Sequence, residues 1–255
     1  MKPHTLLAFM LLSLWFGATT VCNARQGKQL RLTTYNIHHG RGMDNQIDYQ
    51  RIANLIRQSR ADVVAVQEVD SATQRTGNRY SLGEIAEGCK MHATFAAAIP
   101  LQGGKYGIGI LSRKRPISWY SIALPGSEEP RALLVAEFKH YVVACTHLSL
   151  THRDLMESIS LLVVEARKWQ KPFILMGDLN ADPQSEFYKI MERHFTFINN
   201  PEEPTFPSEN PQKCIDHIAV FNANSDRVQT IDVLVGSSIA SDHNPLHATL
   251  RIKTK

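Results

Sequence analysis

Apolar runs and polar clusters alternate along this chain, and the spacing within the runs switches between the period of a strand and that of a helix. Leu30 to Asn36 roughly alternates apolar and polar positions and predicts a strand, ending in Asn36-Ile37-His38-His39-Gly40. Ile52, Leu55 and Ile56 then predict a helix over Asp48 to Arg57. Val63-Val64-Ala65-Val66 is unbroken, as in a strand covered on both faces, and stops at Gln67-Glu68-Val69-Asp70. A short helix is expected over Leu82 to Gly88. Strands are expected over Met91 to Ile99 and Gly107 to Leu111, separated by Gly103-Gly104, with Tyr106 just before the second. Leu133 to Phe138 and Tyr141 to Cys145 predict a hairpin turning at Lys139-His140. The longest helical stretch runs from His152 to Trp169, with Leu155, Ile159, Leu162, Val163 and Ala166 on one face.

Phe173-Ile174-Leu175-Met176 is a second unbroken apolar run. It enters Gly177-Asp178-Leu179-Asn180, and Asp182-Pro183 blocks its extension. Asp178 and Asn180 share a side if the extended geometry persists; otherwise they bond the local backbone in a turn. Glu186 to Met191 predicts a helix, and the proline-punctuated stretch Asn199 to Gln212 an irregular loop. Cys214 to Phe221 predicts a strand carrying Asp216 and His217, and Arg227 to Val235 and Leu246 to Ile252 two more. No internal repeat or long linker divides the chain. Many strands with a few interspersed helices predict an α/β fold of two packed sheets flanked by helices.

At 255 residues, 43% hydrophobic and 20% charged, the chain has the make-up of one globular domain. A net charge of +4, spread over scattered Lys and Arg, does not announce a nucleic-acid binder. Lys2, the mostly apolar run Leu6 to Phe16 and the small and polar residues up to Ala24 predict a secretory signal peptide over residues 1–24. The mature domain is then 25–255, exported to the periplasm or outside the cell, with no integral membrane segment in the mature chain. Cys22 also admits lipoprotein anchoring, for which Val21 is a poor preceding residue. Cys89, Cys145 and Cys214 cannot all pair, and without a Cys-x-x-Cys they are expected as buried apolar residues, not zinc ligands.

Polar groups gather where the apolar strands stop. Asn36, Glu68, His147 and Asp178 with Asn180 each follow one, and Asp242 and His243 precede one. Asp216 sits within an apolar strand, where a carboxylate needs a partner. Carboxylates and an amide without clustered thiolates favour a hard divalent cation, Mg²⁺ or Mn²⁺. His243 and His247 are four apart, but Pro245 between them removes the shared helical face of a zinc pair. Histidines beside acids donate to phosphate oxygens or move protons. Together these groups fit hydrolysis of a phosphoester by in-line attack of water.

Taken in order, Tyr35-Asn36-Ile37, Gln67-Glu68-Val69, Thr146-His147-Leu148, Gly177-Asp178-Leu179-Asn180, Ile215-Asp216-His217 and Ser241-Asp242-His243 resemble the motifs of the endonuclease/exonuclease/phosphatase superfamily. The resemblance spans about Leu30 to Ile252. It implies an α/β four-layer sandwich, two packed mixed β-sheets flanked by α-helices, with the site at one edge. It implies Glu68 as the principal Mg²⁺ ligand, Asn36 as an assisting ligand and Asp242 in the metal shell. Asp178 is then the residue that orients or deprotonates the attacking water, and Asn180 positions it and the substrate. His243 contacts the scissile phosphate with Asp216 as its carboxylate partner, and His147 supports the phosphate or the leaving oxygen. Substrate contacts are implied for Arg75, which reads equally as a solvated loop residue, and for Tyr106. Ile108 departs from the family here, standing where relatives often carry a polar residue.

The expected protein is a secreted, monomeric, Mg²⁺-dependent phosphodiesterase or phosphatase. Its substrate stays open between nucleic acid, a lipid phosphoester and a small phosphorylated sugar or inositol, with a small-molecule or lipid-derived phosphoester preferred. Ile117-Ser118-Trp119-Tyr120 reads either as an apolar segment reaching a lipid surface or as core. The alternative of a different class is a non-catalytic binding protein keeping the fold, against which the complete polar set argues.

Overall fold

In the computed structural model, which describes residues 27–253, twelve strands form two six-stranded sheets. The expected leader at 1–24, with Cys22, lies outside the described residues. The first half of the chain supplies β1 (Lys28–Asn36), α1 (Tyr49–Ser59), β2 (Val63–Ser71), α2 (Ser81–Cys89), β3 (His92–Leu101), β4 (Gly104–Ser112) and β5 (Ser118–Leu124). The second supplies β6 (Arg131–Glu137), β7 (Val142–His147), α3 (His152–Arg167), β8 (Phe173–Asp178), α4 (Glu186–Met191), β9 (Phe195–Phe197), β10 (Asp216–Phe221), β11 (Val228–Val235) and β12 (Leu246–Ile252). One sheet runs β11-β12-β1-β2-β4-β3 and the other β5-β6-β7-β8-β10-β9. Both are mixed.

Three apolar layers hold this together. Leu32, Val63 and Ile110 of the first sheet meet Leu134, Val143 and Met176 of the second between the sheets. Ile52, Ile56 and Ile85 seal α1 and α2 onto the outer face of the first sheet. Leu155, Ile159 and Leu162 of α3 and Phe187 of α4 do the same for the second. Each sheet contains a single parallel pair, β1 with β2 and β7 with β8, and each pair is joined by a helix, α1 or α3. Parallel neighbours need such a crossover. Burial on both faces explains the unbroken apolar runs in β2 and β8. The carboxyl ends of all four parallel strands meet at one edge of the sandwich.

Several boundaries differ from the sequence pattern. The second strand does not stop at Gln67. Val66 pairs with Gly109 and Val69 with Gly107, so Gln67 and Glu68 together oppose Ile108 in a bulge, and β2 continues to Ser71. The third and fourth strands are joined by a tight turn with Gln102 and Gly103 at positive φ, which places Tyr106 inside β4. Asp216 opens β10 instead of sitting within it, and α3 stops at Arg167. Strands β5 and β9 were not indicated. As an edge strand β5 turns only Tyr120, Ile122 and Leu124 inward, the first two half-buried, and Trp119 on the other face is 53% exposed, so it is not core. Three residues make β9 too short for a readable period. Cys89, Cys145 and Cys214 are free and buried. Among the described residues no helix is long and apolar enough to cross a membrane.

Candidate active site

Gly177 is the last apolar-run residue before the acid that ends β8. A Cβ there would lie 2.0 Å from the Thr146 carbonyl oxygen of β7. Only glycine permits this approach, and it brings the two strand ends, His147 and Asp178, side by side in register. Antiparallel pairing on the other side of β8 sets Asp216 directly opposite Asp178.

Asp178 uses its two oxygens differently. Oδ1 accepts from the backbone N–H of Asn180 at 2.9 Å, closing a local turn, with Asn180 at φ 49°. Oδ2 faces the cleft. It accepts from Asn36 Nδ2 at 3.2 Å and lies 3.6 Å from His147 Nε2 and 3.7 Å from His243 Nε2. The Gly-Asp-x-Asn stretch is therefore a local turn through one oxygen of Asp178, while the other oxygen is left facing the cleft. Asn180 does not continue the strand; its amide Nδ2 donates to the Leu148 carbonyl at 2.9 Å and ties this turn to the end of β7.

His243 lies against Asp216, with Nδ1 donating to Oδ2 at 2.8 Å. Thr205 Oγ1 donates to the same oxygen at 2.6 Å. Burial alone would push the imidazole down, but Asp216, Asp178 and Asp242 together raise its pKa to about 10. His147 is the opposite case. Burial, only partly offset by Asp178, holds its pKa down to about 4, leaving a neutral ring at neutral pH. Thus two histidines near one carboxylate carry different charges.

The first sheet supplies the other side. Asn36 Nδ2 also donates to Glu68 Oε1 at 3.0 Å, while its own Oδ1 accepts from His38 N–H. As placed, Asn36 bridges the two acids across the sheets through its amino group. Glu68 is aimed into the cleft by the bulge, with φ 56°. Its carboxyl pKa is raised, first by burial and then by Asp242 and Asp178. Ser241 Oγ lies 2.8 Å from the Asn36 carbonyl and 3.2 Å from Asp242 Oδ1, fixing Asp242 beside Glu68. Three carboxylates, those of Glu68, Asp178 and Asp242, thus crowd one cleft and repel one another, an arrangement that a cation relieves. Oxygen donors of this kind fit Mg²⁺ or Mn²⁺.

The cleft has a volume of about 360 Å³ and is lined by Glu68, His147, Asp178, Asn180, Asp242 and His243. Tyr106, Phe206 and Leu150 form its apolar wall, and Arg131 and Lys213 add positive charge. Asp216 stands behind His243. Arg75 is set back: its guanidinium makes two 2.7 Å bonds to the buried Asp70 and lies over the Tyr106 ring, 5.4 Å from the centroid. Ile108 is buried between the sheets and adds no polar group to the cleft.

Thr205, Phe206 and Lys213 were invisible as site residues. They lie in or beside the proline-rich loop, which folds against the Ser241–Asn244 turn through Ser208 N–H to Asp242 O and Asn244 N–H to Thr205 O. No sequence period marks such a loop. Arg131 carried a weak signal, an arginine at the start of an apolar strand. His38 and His39, beside Glu68, carried one too: adjacent histidines at a strand end.

This sandwich and this arrangement of acids and histidines define a class. The chain belongs to the endonuclease/exonuclease/phosphatase family, whose model matches residues 33–243. No curated protein sequence matches it. Among solved structures, an endonuclease/exonuclease/phosphatase from Beutenbergia cavernae superposes with a TM-score of 0.71 at 22% identity, covering 88% of this chain and 72% of that one. A mannosyl-6-phosphatase from Bacteroides thetaiotaomicron gives 0.65 at 18% identity, covering 87% of this chain and 99% of that one. The 2′,3′-cyclic phosphatase ANGEL2 gives 0.71 at 15% identity, covering 89% and 96%. At these identities the likeness is one of fold.

Proposed function

We propose that this protein is an exported hydrolase of a small-molecule or lipid-derived phosphoester, dependent on Mg²⁺ or Mn²⁺, and active as a monomer. The observation that carries the reading is the cleft in which Asp178 Oδ2 sits between His147 and His243, with Glu68 and Asp242 alongside. Glu68 and Asp242 would hold the cation, which when bound offsets charge on the phosphoryl oxygens.

The remaining chemistry belongs to side chains. His243, kept protonated by Asp216, presents an imidazolium to a phosphoryl oxygen. Asp178 Oδ2, aimed into the cleft, accepts a hydrogen bond from a water and orients it toward phosphorus for in-line attack. Neutral His147 supports the phosphate or the leaving oxygen. Asn180, anchored on Leu148, keeps Asp178 turned to the cleft, and Arg131 and Lys213 draw in the anion. The cleft's limited volume and the exposed Leu150 at its rim support a compact or lipid-derived substrate over a duplex. A mannosyl-6-phosphatase and a 2′,3′-cyclic phosphatase among the fold relatives are compatible with this.

The test is a substrate panel of a sugar phosphate, an inositol phosphate, sphingomyelin and DNA, assayed with Mg²⁺ or Mn²⁺ and with chelator. Turnover of one of the first three, abolished by chelator and by Glu68→Ala, is the expected result. Full activity in chelator removes the cation from the reading, cleavage of DNA alone makes the protein a nuclease, and no turnover at all favours a binding protein. Detection of the mature chain in the cytoplasm would refute export.

A further inference from the structure

Asn36 is followed by two adjacent histidines in an unusual conformation. His38 and His39 both have positive φ, 44° and 47°. Left-handed backbone costs about 1 kcal/mol or more per non-glycine residue, so two in succession must be held in place. The turn is built to hold them. His38 N–H donates to Asn36 Oδ1 at 3.0 Å, Gly40 N–H to the Ile37 carbonyl at 2.7 Å and Arg41 N–H to the His38 carbonyl at 2.8 Å. Gly40 itself has φ 96°, and a Cβ there would lie 2.2 Å from Tyr49 Cε1.

What the turn presents is a pair of imidazoles, edge to face at 4.6 Å between centroids. One ring nitrogen of each and a Glu68 carboxylate oxygen all lie within 4.8 Å of one another. His38 Nδ1 is also 3.7 Å from Asp242 Oδ1. Among the described residues no hydrogen bond engages a ring nitrogen of His38 or His39. Convergent imidazole and carboxylate donors are the ligand set of first-row transition dications, whereas Mg²⁺ prefers oxygen donors alone.

We propose that His38 and His39 join Glu68 and Asp242 in holding the cation, so that the site selects a nitrogen-accepting transition dication over Mg²⁺. This rests on the reading above that Glu68 and Asp242 form a divalent-cation site. It adds two ligands to that site and changes its preferred ion.

The test needs no substrate. Chelator-stripped chain is titrated with Co²⁺ and with Mg²⁺ by calorimetry, following the ligand-field absorption of bound Co²⁺. The variants are His38→Asn and His39→Asn, because asparagine tolerates the left-handed backbone, and Glu68→Ala. Co²⁺ is expected to bind the unaltered chain more tightly than Mg²⁺. Each histidine variant should weaken Co²⁺ by about tenfold or more while Mg²⁺ affinity stays nearly constant. Wild-type Co²⁺ affinity and absorption in both histidine variants, or equal affinity of the unaltered chain for the two ions, overturns the proposal. If Glu68→Ala abolishes Mg²⁺ binding while the histidine variants bind Co²⁺ normally, only the histidine ligands fail. If neither ion binds the unaltered chain, the cation reading fails with them. Should a variant not fold, electron spin-echo modulation from coordinated nitrogen in the unaltered Mn²⁺-loaded chain is expected, and its absence overturns the proposal.

Discussion

Asp178 and Asp216 face each other across the β8–β10 pair, and the imidazole of His243 lies against both, 2.8 Å from one and 3.7 Å from the other. Two carboxylates at one register position repel, and the shared imidazolium offsets that repulsion. The consequence is a pH signature. The pKa of His243 rises from 6.5 to about 10 on folding, so its stabilisation is complete below pH 6.5 and is lost as pH climbs through about 10. The effect is on the order of a few kcal/mol. That of His147 falls from 6.5 to about 4, so its contribution is complete above 6.5 and is lost as pH drops through about 4. Urea melts of chelated protein across this range should show both limbs. The alkaline limb should flatten in His243→Gln and the acid limb in His147→Gln; unchanged slopes would contradict the assignment.

Glu68 is held where burial first, and then the neighbouring Asp242 and Asp178, oppose its ionisation. Glu68→Gln should therefore raise the melting temperature of the chelated protein at neutral pH while abolishing turnover. Added divalent cation should stabilise the parent and not the variant. Equal cation-dependent shifts in differential scanning calorimetry would show that Glu68 is not a ligand.

Gly177 has no room for a methyl group. With its Cβ 2.0 Å from a backbone oxygen, Gly177→Ala must part β7 from β8. A loss of about 1–3 kcal/mol or more is expected in denaturant unfolding, with turnover falling further than stability, because His147 and Asp178 separate. An unaltered unfolding midpoint would refute the close approach.

Arg131 and Arg75 separate by their partners. Arg131 lines the cleft with a buried Nε that has no hydrogen-bond partner, its terminal nitrogens lying 3.0 Å from Glu129 and 3.5 Å from Glu128, whereas Arg75 is set back from the cleft with its Nε and one terminal nitrogen on the buried Asp70. Arg131→Met should raise KM by about tenfold or more, the worth of a charge-assisted hydrogen bond to phosphate. Arg75→Met should act mainly on stability, by leaving the Asp70 carboxylate buried and unpaired. Steady-state kinetics with thermal melts of both variants decides the matter; a larger KM effect at Arg75 would reverse the roles.

The pattern of apolar positions was enough to locate α4 and β12 to the residue and β8 to within its last two positions, because unbroken or strictly periodic burial leaves a direct imprint on composition. The polar residues at the site were legible for a related reason: a strand buried on both faces makes any polar residue at its end conspicuous. What the pattern could not carry was direction. The bulge that aims Glu68 looks like a strand end, since Gln67 and Glu68 are polar whether the strand stops or kinks. The left-handed turn at Asn180 looks like two more extended residues. Thr205 became visible only once the proline-rich loop was seen against Asp216, an irregular backbone without a period to read.

Asn36 Nδ2 reaches Glu68 within its own sheet and Asp178 in the other. The hydrocarbon layer between the sheets is therefore a spacer that calibrates the cleft. Trimming a side chain in that layer, such as Leu134 or Ile110, changes the gap over which one amide must span two acids. Tuning of turnover is thus available at positions that touch neither water nor substrate, and relatives with the same polar residues can differ in rate through the bulk of their interior alone.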